Sequence, residues 1–252
     1  MTIPLEFLRT LPAAQSGTSW GDHLATEVLP RVKSFWECFP STTRPAIFSP
    51  DSTRPPLCHN AIREFVANFA LPYSAARRQL GPNDRVMVAL PTTPEGALAL
   101  LALSCYHTVA PVNTSCTAAE LLDDARRLDV RAVLSVREAE TRLDLRGLSD
   151  ALDCEVIFLE PRADGPTGLF DLHLLADQGE DQVGRRIAPT QLCSLDDQTL
   201  VLQTSGTSGK KKVVPYPLRN LIVGTCAVVL SWDLSDEDIN SVYLSLRTIN
   251  LV

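Results

Sequence analysis

The stretch Thr204-Ser205-Gly206-Thr207-Ser208-Gly209-Lys210-Lys211-Lys212 decides how this chain is interpreted. Four hydroxyl side chains and two glycines come first, and three lysines follow. Apolar segments flank the run at 199–203 and 213–216, so the pattern predicts a strand, a polar loop and a second strand. Glycines let backbone N–H groups turn inward to form a concave anion site, and hydroxyls and lysines add donors and positive charge. The residues therefore predict a loop that holds a polyphosphate.

Two common nucleotide-binding patterns do not fit this loop. A Walker loop has a glycine five residues before its Gly-Lys pair and Ser or Thr after the lysine, but Thr204 and Lys211 occupy these positions. A dinucleotide fingerprint also fails, because no Gly-x-Gly precedes Gly206 and Gly209. Composition alone leaves open a surface turn with a basic cluster, since runs of Gly, Ser and Thr are usually loops.

The loop and the two residues after it resemble the phosphate-loop signature of the adenylate-forming (AMP-binding) enzymes. This superfamily includes acyl-CoA synthetases, peptide-synthetase adenylation domains and luciferases, and its signature reads Thr-Ser-Gly-Thr/Ser-Thr/Ser-Gly, any residue, Pro-Lys-Gly-Val. Thr204 to Gly209 match it, Lys212 falls on the signature lysine and Val214 on the valine. Lys211 replaces the proline and Val213 the glycine. The wording is closest to acetyl-CoA-synthetase-like and peptide-synthetase-like proteins of fungi.

The resemblance implies a two-step reaction. ATP and a carboxylate give an acyl-adenylate and pyrophosphate, and a thiol acceptor, CoA or a carrier protein, then takes the acyl group. Catalysis would rest on positioning and on cancelling phosphate charge, with ATP and Mg²⁺ as cofactors. Hydroxyls would donate to the β- and γ-phosphates, glycines would allow close approach, and Lys210 and Lys211 would face solvent. The cofactor-binding residues so implied are Thr204, Ser205, Gly206, Thr207, Ser208, Gly209 and Lys212.

The rest of the chain alternates predicted strands and helices. Strands are predicted at 44–48, 85–90, 109–112, 131–136 and 155–159, and helices at 20–38, 60–69, 94–106, 117–128 and 218–230. Asn60 and Thr117 are the predicted N-caps of two helices, and Glu120 completes a capping box with Thr117. Residues 160–198 are rich in Gly, Pro, Asp and Gln and predict a long surface insertion. Such alternation predicts an α/β fold of parallel βαβ units.

This order resembles the start of the adenylate-forming fold, with an incomplete large domain. Leu57 to Phe69 is similar to its first strand and helix, and Ala110-Pro111-Val112-Asn113 to its second motif. The predicted division is a leader at 1–40, the N-terminal part of an AMP-binding domain at 41–240 and a divergent tail at 241–252. The family's later motifs do not occur, so we expect a truncated, inactive chain whose tail comes from a misassembled reading frame.

Three functional hypotheses follow. The first is an AMP-dependent ligase by descent, represented by its N-terminal part and lacking its own catalytic residues. The second is a catalytically silent nucleotide-binding or interaction module. The third is an unstable fragment, because the sheet would lack its partner subdomain.

The amino-acid composition narrows the class of protein further. The net charge of −7 argues against nucleic acid as a partner. Seven scattered cysteines without C-x-x-C predict reduced thiols, and no signal peptide or span of about twenty apolar residues is evident, which predicts a soluble cytoplasmic protein. The remaining polar residues are interpreted as structural or solvated: His23, His59, His107, His173, the pair Asp123-Asp124 on an exposed helix face, and Asp196-Asp197 at the end of the insertion.

Overall fold

The structure is a computed structural model that describes residues 24, 26–49, 53–74, 79–175, 185–186, 191–204, 211–235 and 238. Its strands are β1 (Pro45–Ile47), β2 (Leu57–Cys58), β3 (Pro72–Tyr73), β4 (Arg85–Ala89), β5 (Thr108–Pro111), β6 (Val130–Ser135), β7 (Glu155–Pro161), β8 (Phe170–Leu174), β9 (Arg185–Arg186), β10 (Gln198–Thr204) and β11 (Lys212–Pro217). Its α-helices are α1 (His59–Ala67), α2 (Pro94–Tyr106), α3 (Ala118–Leu128), α4 (Leu145–Leu152) and α5 (Leu218–Ser231).

A seven-stranded sheet organises the molecule, in the order β11-β10-β5-β4-β6-β7-β8. The inner strands from β10 to β7 are parallel, whereas β11 and β8 run antiparallel at the two edges. The chain passes from β4 to β5 on one side and then to β6 on the other side of β4. The predicted α/β fold of parallel βαβ units is therefore confirmed, and its parallel strand ends lie at one edge.

Helices cover both faces of the sheet. Successive residues of β4 point to opposite faces, so Val86 packs with α1 and α2 while Met87 packs with α3 and α4. All five residues of β4 except Arg85 are buried. Burial on both faces explains why these strands are continuous apolar runs instead of alternating ones.

The predicted helix starts are mostly confirmed. Thr93 caps α2 by accepting a hydrogen bond from the Gly96 N–H, and Thr117 and Glu120 form the predicted capping box of α3. Asn60 is not a cap, which corrects the sequence-based prediction. The helix begins at His59, and its first two N–H groups donate to backbone carbonyls of the segment before β1, those of Arg44 and Thr42.

The prediction of a surface insertion at 160–198 is wrong for the described part of that range. β8 adds to the sheet beside β7, and Phe170, Leu172 and Leu174 on one of its faces are buried. Cys193 is buried as well, and its N–H donates to the Cys105 carbonyl at 2.8 Å. The sequence did not reveal these short elements because turn-forming residues separate them. It missed α4 for the same reason; Asp144 caps this helix by accepting a hydrogen bond from the Gly147 N–H.

The residues before position 40 contact the body of the protein where they are described. The single helix predicted at 20–38 is replaced by helical turns, including 3₁₀ turns at Leu29–Arg31 and Phe35–Cys38. Leu24, Val28 and Val32 pack against α5. Among the described residues, no helix is both long enough and apolar enough to cross a membrane.

A buried histidine makes the stability depend on pH. The His107 ring is 2% exposed, with Nδ1 3.0 Å from the Gly81 carbonyl oxygen, and burial lowers its pKa from 6.5 even though Gly81 and Asp84 favour the charged form. The unfolded state therefore binds the extra proton first, so the free energy of unfolding falls as the pH drops below 6.5. This histidine should account for a loss of up to about 2 kcal/mol between pH 7 and pH 5.

Urea denaturation across this pH range measures the effect. His107→Asn should flatten the dependence, because the buried ring that stays neutral in the folded state is removed. Equal slopes in the wild type and His107→Asn would show that the ring is not held neutral.

Candidate active site

The two ends of the predicted phosphate loop lie side by side. β10 and β11 form an antiparallel pair in which Thr204 is opposite Lys212, and both residues are exposed. The two predicted strands that flank this stretch are therefore confirmed. Ser205, Gly206, Thr207, Ser208 and Gly209 lie outside the described residues, as does Lys210. Of the predicted cofactor-binding residues, the described part of the chain thus brings Thr204 and Lys212 together at the mouth of the hairpin.

A cavity of about 280 Å³ opens beside this hairpin, at the carboxyl ends of β5 and β10. Ligands of open α/β sheets bind at such strand ends. The second sequence motif supplies one wall, the start of α3 another and the hairpin a third. The lining residues are Pro111, Val112, Asn113, Ser115, Cys116, Glu120, Asp124, Leu202, Gln203 and Lys211.

Lys211 faces the protein, which corrects the prediction that it faces solvent. Its Nζ donates to Asp124 Oδ2 at 2.5 Å, and the other carboxylate oxygen lies 3.5 Å from Arg127 Nη1. Asp124 is 6% exposed, so the prediction of a solvated Asp123-Asp124 face is wrong for Asp124 and holds for Asp123, whose side chain is 69% exposed. A carboxylate this deeply buried needs paired cations, and Lys211 and Arg127 provide them.

Gln203 gives the cavity an unusual polar wall. Both polar atoms of its side-chain amide are buried, and neither has a hydrogen-bond partner in the part of the chain that the structure describes. Buried polar groups are nearly always hydrogen-bonded, so an amide without partners is uncommon. Its NH₂ group can donate hydrogen bonds to a molecule bound in the cavity, and its carbonyl oxygen can accept them from that molecule.

The other titratable groups of the cavity do not form a nucleophile or a metal site. Hydrogen bonds from the Thr117 backbone and hydroxyl lower the pKa of Glu120, and the nearby Lys211 lowers it further. Burial, with Glu120 and Asp124 adding to it, raises the pKa of the Cys116 thiol, which keeps it protonated. Within the described ranges, no three His, Cys, Asp or Glu side chains are grouped as metal ligands.

The other candidates from the sequence have structural roles. Asp197 accepts from the N–H and hydroxyl of Ser194 and from the Asn83 amide. Burial acts to raise the pKa of Asp197, but the three hydrogen bonds outweigh it and lower the pKa. Asp196 pairs with Arg219 at the start of α5. His59, His107 and His173 are apart from the cavity, and His23 lies outside the described residues.

The parallel sheet, the helices on both faces and the cavity at the strand ends define an α/β protein with a cavity at the carboxyl edge of its sheet, the edge at which such folds bind ligands. The AMP-binding enzyme family model matches residues 75–249, and the chain belongs to this family. The expected membership of the adenylate-forming superfamily is confirmed.

Two curated relatives are CoA ligases. One is the 3-[(3aS,4S,7aS)-7a-methyl-1,5-dioxo-octahydro-1H-inden-4-yl]propanoyl:CoA ligase of Rhodococcus jostii, 29% identical over 69% of this chain and 35% of the relative. The other is the 3-hydroxypropionyl-coenzyme A synthetase of Metallosphaera sedula, 28% identical over 63% of this chain and 26% of the relative. The chain thus spans about a third or less of their length. Neither supports the predicted likeness to fungal proteins or a carrier-protein acceptor.

Solved structures show the same fold. The o-succinylbenzoate CoA synthetase of Bacillus subtilis, solved with its acyl-adenylate intermediate, has a TM-score of 0.53 at 14% identity and covers 87% of this chain and 47% of its own. A putative long-chain-fatty-acid CoA ligase of Rhodopseudomonas palustris has a TM-score of 0.51 at 17% identity, covering 79% and 48%. This chain therefore corresponds to part of the adenylate-forming fold, as predicted.

Sequence reasoning did not identify Gln203 and placed Asp124 on a solvated helix face, although one signal for the burial of Asp124 was available. Helical spacing places Asp124 three residues after Leu121 and four before Leu128, both of which are buried in α3. A charged residue at the edge of an apolar stripe needs a partner. The partner, Lys211, is 87 positions away in the sequence, so local patterns could not identify it.

Proposed function

We propose that this chain supplies the triphosphate-binding part of a ligase that activates a carboxylate with ATP and transfers the acyl group to CoA. The observation that supports this most directly is the hairpin, which holds Thr204 opposite Lys212 beside a cavity at the strand ends. The CoA ligase relatives support the acceptor, and nothing in them favours a silent module.

The described residues fit a polyphosphate at this edge. Lys212 is exposed and is the first residue of β11. Its flexible side chain can bring the ammonium group into contact with a phosphate. Thr204 adds a hydroxyl from the opposite strand, and the two glycines of the signature would allow close backbone approach. Because the described part of the chain groups no three acidic or other metal-ligating side chains, Mg²⁺ would be held mainly by phosphate oxygens.

The chemistry asked of these residues is electrostatic. The carboxylate oxygen attacks the α-phosphorus and pyrophosphate leaves, so the negative charge on the leaving oxygens increases. Lys212 and the loop hydroxyls would stabilise that charge, and the hairpin would hold the leaving group in line. These residues act as hydrogen-bond donors, and the step requires none of them to accept a proton.

ATP binding by the 252-residue chain tests the proposal. Lys212→Ala should weaken the ATP affinity by about tenfold, or 1.4 kcal/mol, because one phosphate contact is lost. Gly209→Val should abolish binding by blocking close approach of the backbone. Isothermal titration with ATP and Mg²⁺ gives both values.

Lys33→Ala is the matched control, since Lys33 is another exposed lysine and lies in the N-terminal segment, outside the hairpin and the cavity. It should bind ATP as the wild type does. Equal affinities for the wild type, Lys212→Ala and Gly209→Val would contradict the proposal. In the whole ligase, carboxylate-dependent exchange between ATP and pyrophosphate should show the same order of variants.

A further inference from the structure

The residue at the signature proline position forms the strongest polar contact of the cavity. Lys211 immediately precedes β11, and its Nζ lies 2.5 Å from Asp124 Oδ2 on α3. Asp124 is buried and its second oxygen is paired with Arg127, so the carboxylate cannot easily turn away. A proline stiffens a loop by fixing φ. In this chain the residue at that position is restrained instead by the bond from its side chain to α3.

The bond holds the second end of the loop against the body of the protein. β11 is an edge strand, so only β10 contacts it within the sheet. The ladder fixes Lys212 to Thr204, and the ion pair ties the residue before it to α3, which packs on the sheet through Leu121, Ala125 and Leu128. Thr204 and Lys212 are therefore both attached to the body of the protein.

We infer that Asp124, through Lys211, is a positioning residue for ATP binding: it holds the next residue, Lys212, in place at the start of β11 and does not itself touch the nucleotide. The inference rests on the proposed function. A phosphate-binding residue that is held in place before ATP arrives loses less conformational entropy on binding, which raises affinity. Because Lys211 is paired with Asp124, the ammonium group that meets the phosphate is that of Lys212.

The two possible roles of Lys211 predict opposite changes in ATP affinity when Asp124 loses its charge. If Lys211 served only as a phosphate-binding cation, removal of the carboxylate would free it and remove a negative charge near the triphosphate. Asp124→Asn would then strengthen ATP binding. If Asp124 positions Lys212, the same substitution weakens ATP binding, because the anchor is lost while the positive charge remains.

The experiment compares Asp124→Asn, Lys211→Met and the double variant in the whole chain. Each single variant should weaken ATP affinity about three- to tenfold, and the double variant should be no weaker than the weaker single one, since both break one contact. Lys211→Arg, which can still reach the carboxylate, should restore most of the affinity. Asp123→Asn, the exposed neighbour, is the control and should bind ATP as the wild type does.

Amide hydrogen exchange without ATP gives an independent measurement. Asp124→Asn should raise exchange at Val213 and Val214, which follow the anchored residue, and leave β4 unchanged. Stronger ATP binding by Asp124→Asn, additive losses in the double variant, or unchanged exchange would each overturn the positioning role. Absence of ATP binding by the wild-type chain would instead contradict the proposed function, whereas the exchange measurement still decides whether Asp124 anchors the hairpin.

Discussion

Phe170→Ala should lower the free energy of unfolding by about 3–5 kcal/mol, the usual cost of emptying a buried phenylalanine site. The side chain is 2% exposed, and its ring lies 4.9 Å from that of Phe65 in an edge-to-face arrangement. It also fixes β8 to the main core. If residues 160–198 were a surface insertion, the same substitution would change stability by less than about 0.5 kcal/mol.

Asp171→Ala is the matched control on the same strand. Its carboxylate points to the other side and pairs with Arg162 Nη2 at 2.9 Å, and both side chains are more than 40% exposed. A solvated pair of this kind contributes about 0–1 kcal/mol. Urea denaturation of the two variants separates the cases, and similar small losses in both would mean that β8 is not part of the core.

Alkylation of Cys193 in the folded protein should be roughly 1000-fold slower than in the unfolded chain at pH 8, because the thiolate is the reactive form. Burial, together with the nearby Asp197, raises the pKa of this thiol from 9.0 to about 12. The thiol is 1% exposed and donates to the Pro82 carbonyl oxygen. Three pH units correspond to the expected factor.

Mass spectrometry after timed treatment with iodoacetamide measures the rate at each cysteine. The rate at Cys193 should keep rising about tenfold per pH unit from pH 8 to pH 10, whereas the same peptide in urea should level off above pH 9. Cys58 is the internal control, because it is a half-buried thiol on β2 and should react early. Equal folded and unfolded rates at Cys193 would contradict the buried position of this thiol.

Local patterns identified the regular elements that carry strong signals. α2 from Pro94 to Tyr106 and the capping box of α3 lie where the sequence predicts them, since proline at a helix start and a Thr-x-x-Glu pair act within one turn. The buried strand after Asp84 was equally clear, because its apolar run is bounded by a turn. The sequence missed the helix α4 and the strands β3, β8 and β9, which are short and lie among turn-forming residues.

Part of the candidate site could also be predicted. The signature residues from Thr204 to Gly209 and Lys212 identify the loop, and the hairpin joins its two ends as expected. The cavity wall around Asn113 came from a motif that is weak when taken alone. The domain boundaries at 40 and 240 and the roles of the individual loop residues stay predictions.

The sequence by itself determined the family, the order of the βαβ units and the two strands that flank the predicted phosphate loop, because each depends on residues close together in the chain. Only the tertiary structure decided that Lys211 is bound to Asp124, that Gln203 buries an amide beside the cavity, and that β8 belongs to the sheet. The physical reason is distance along the chain. Strand order brings α3 and the hairpin to one sheet edge, and no local periodicity records which distant charge a buried carboxylate will meet.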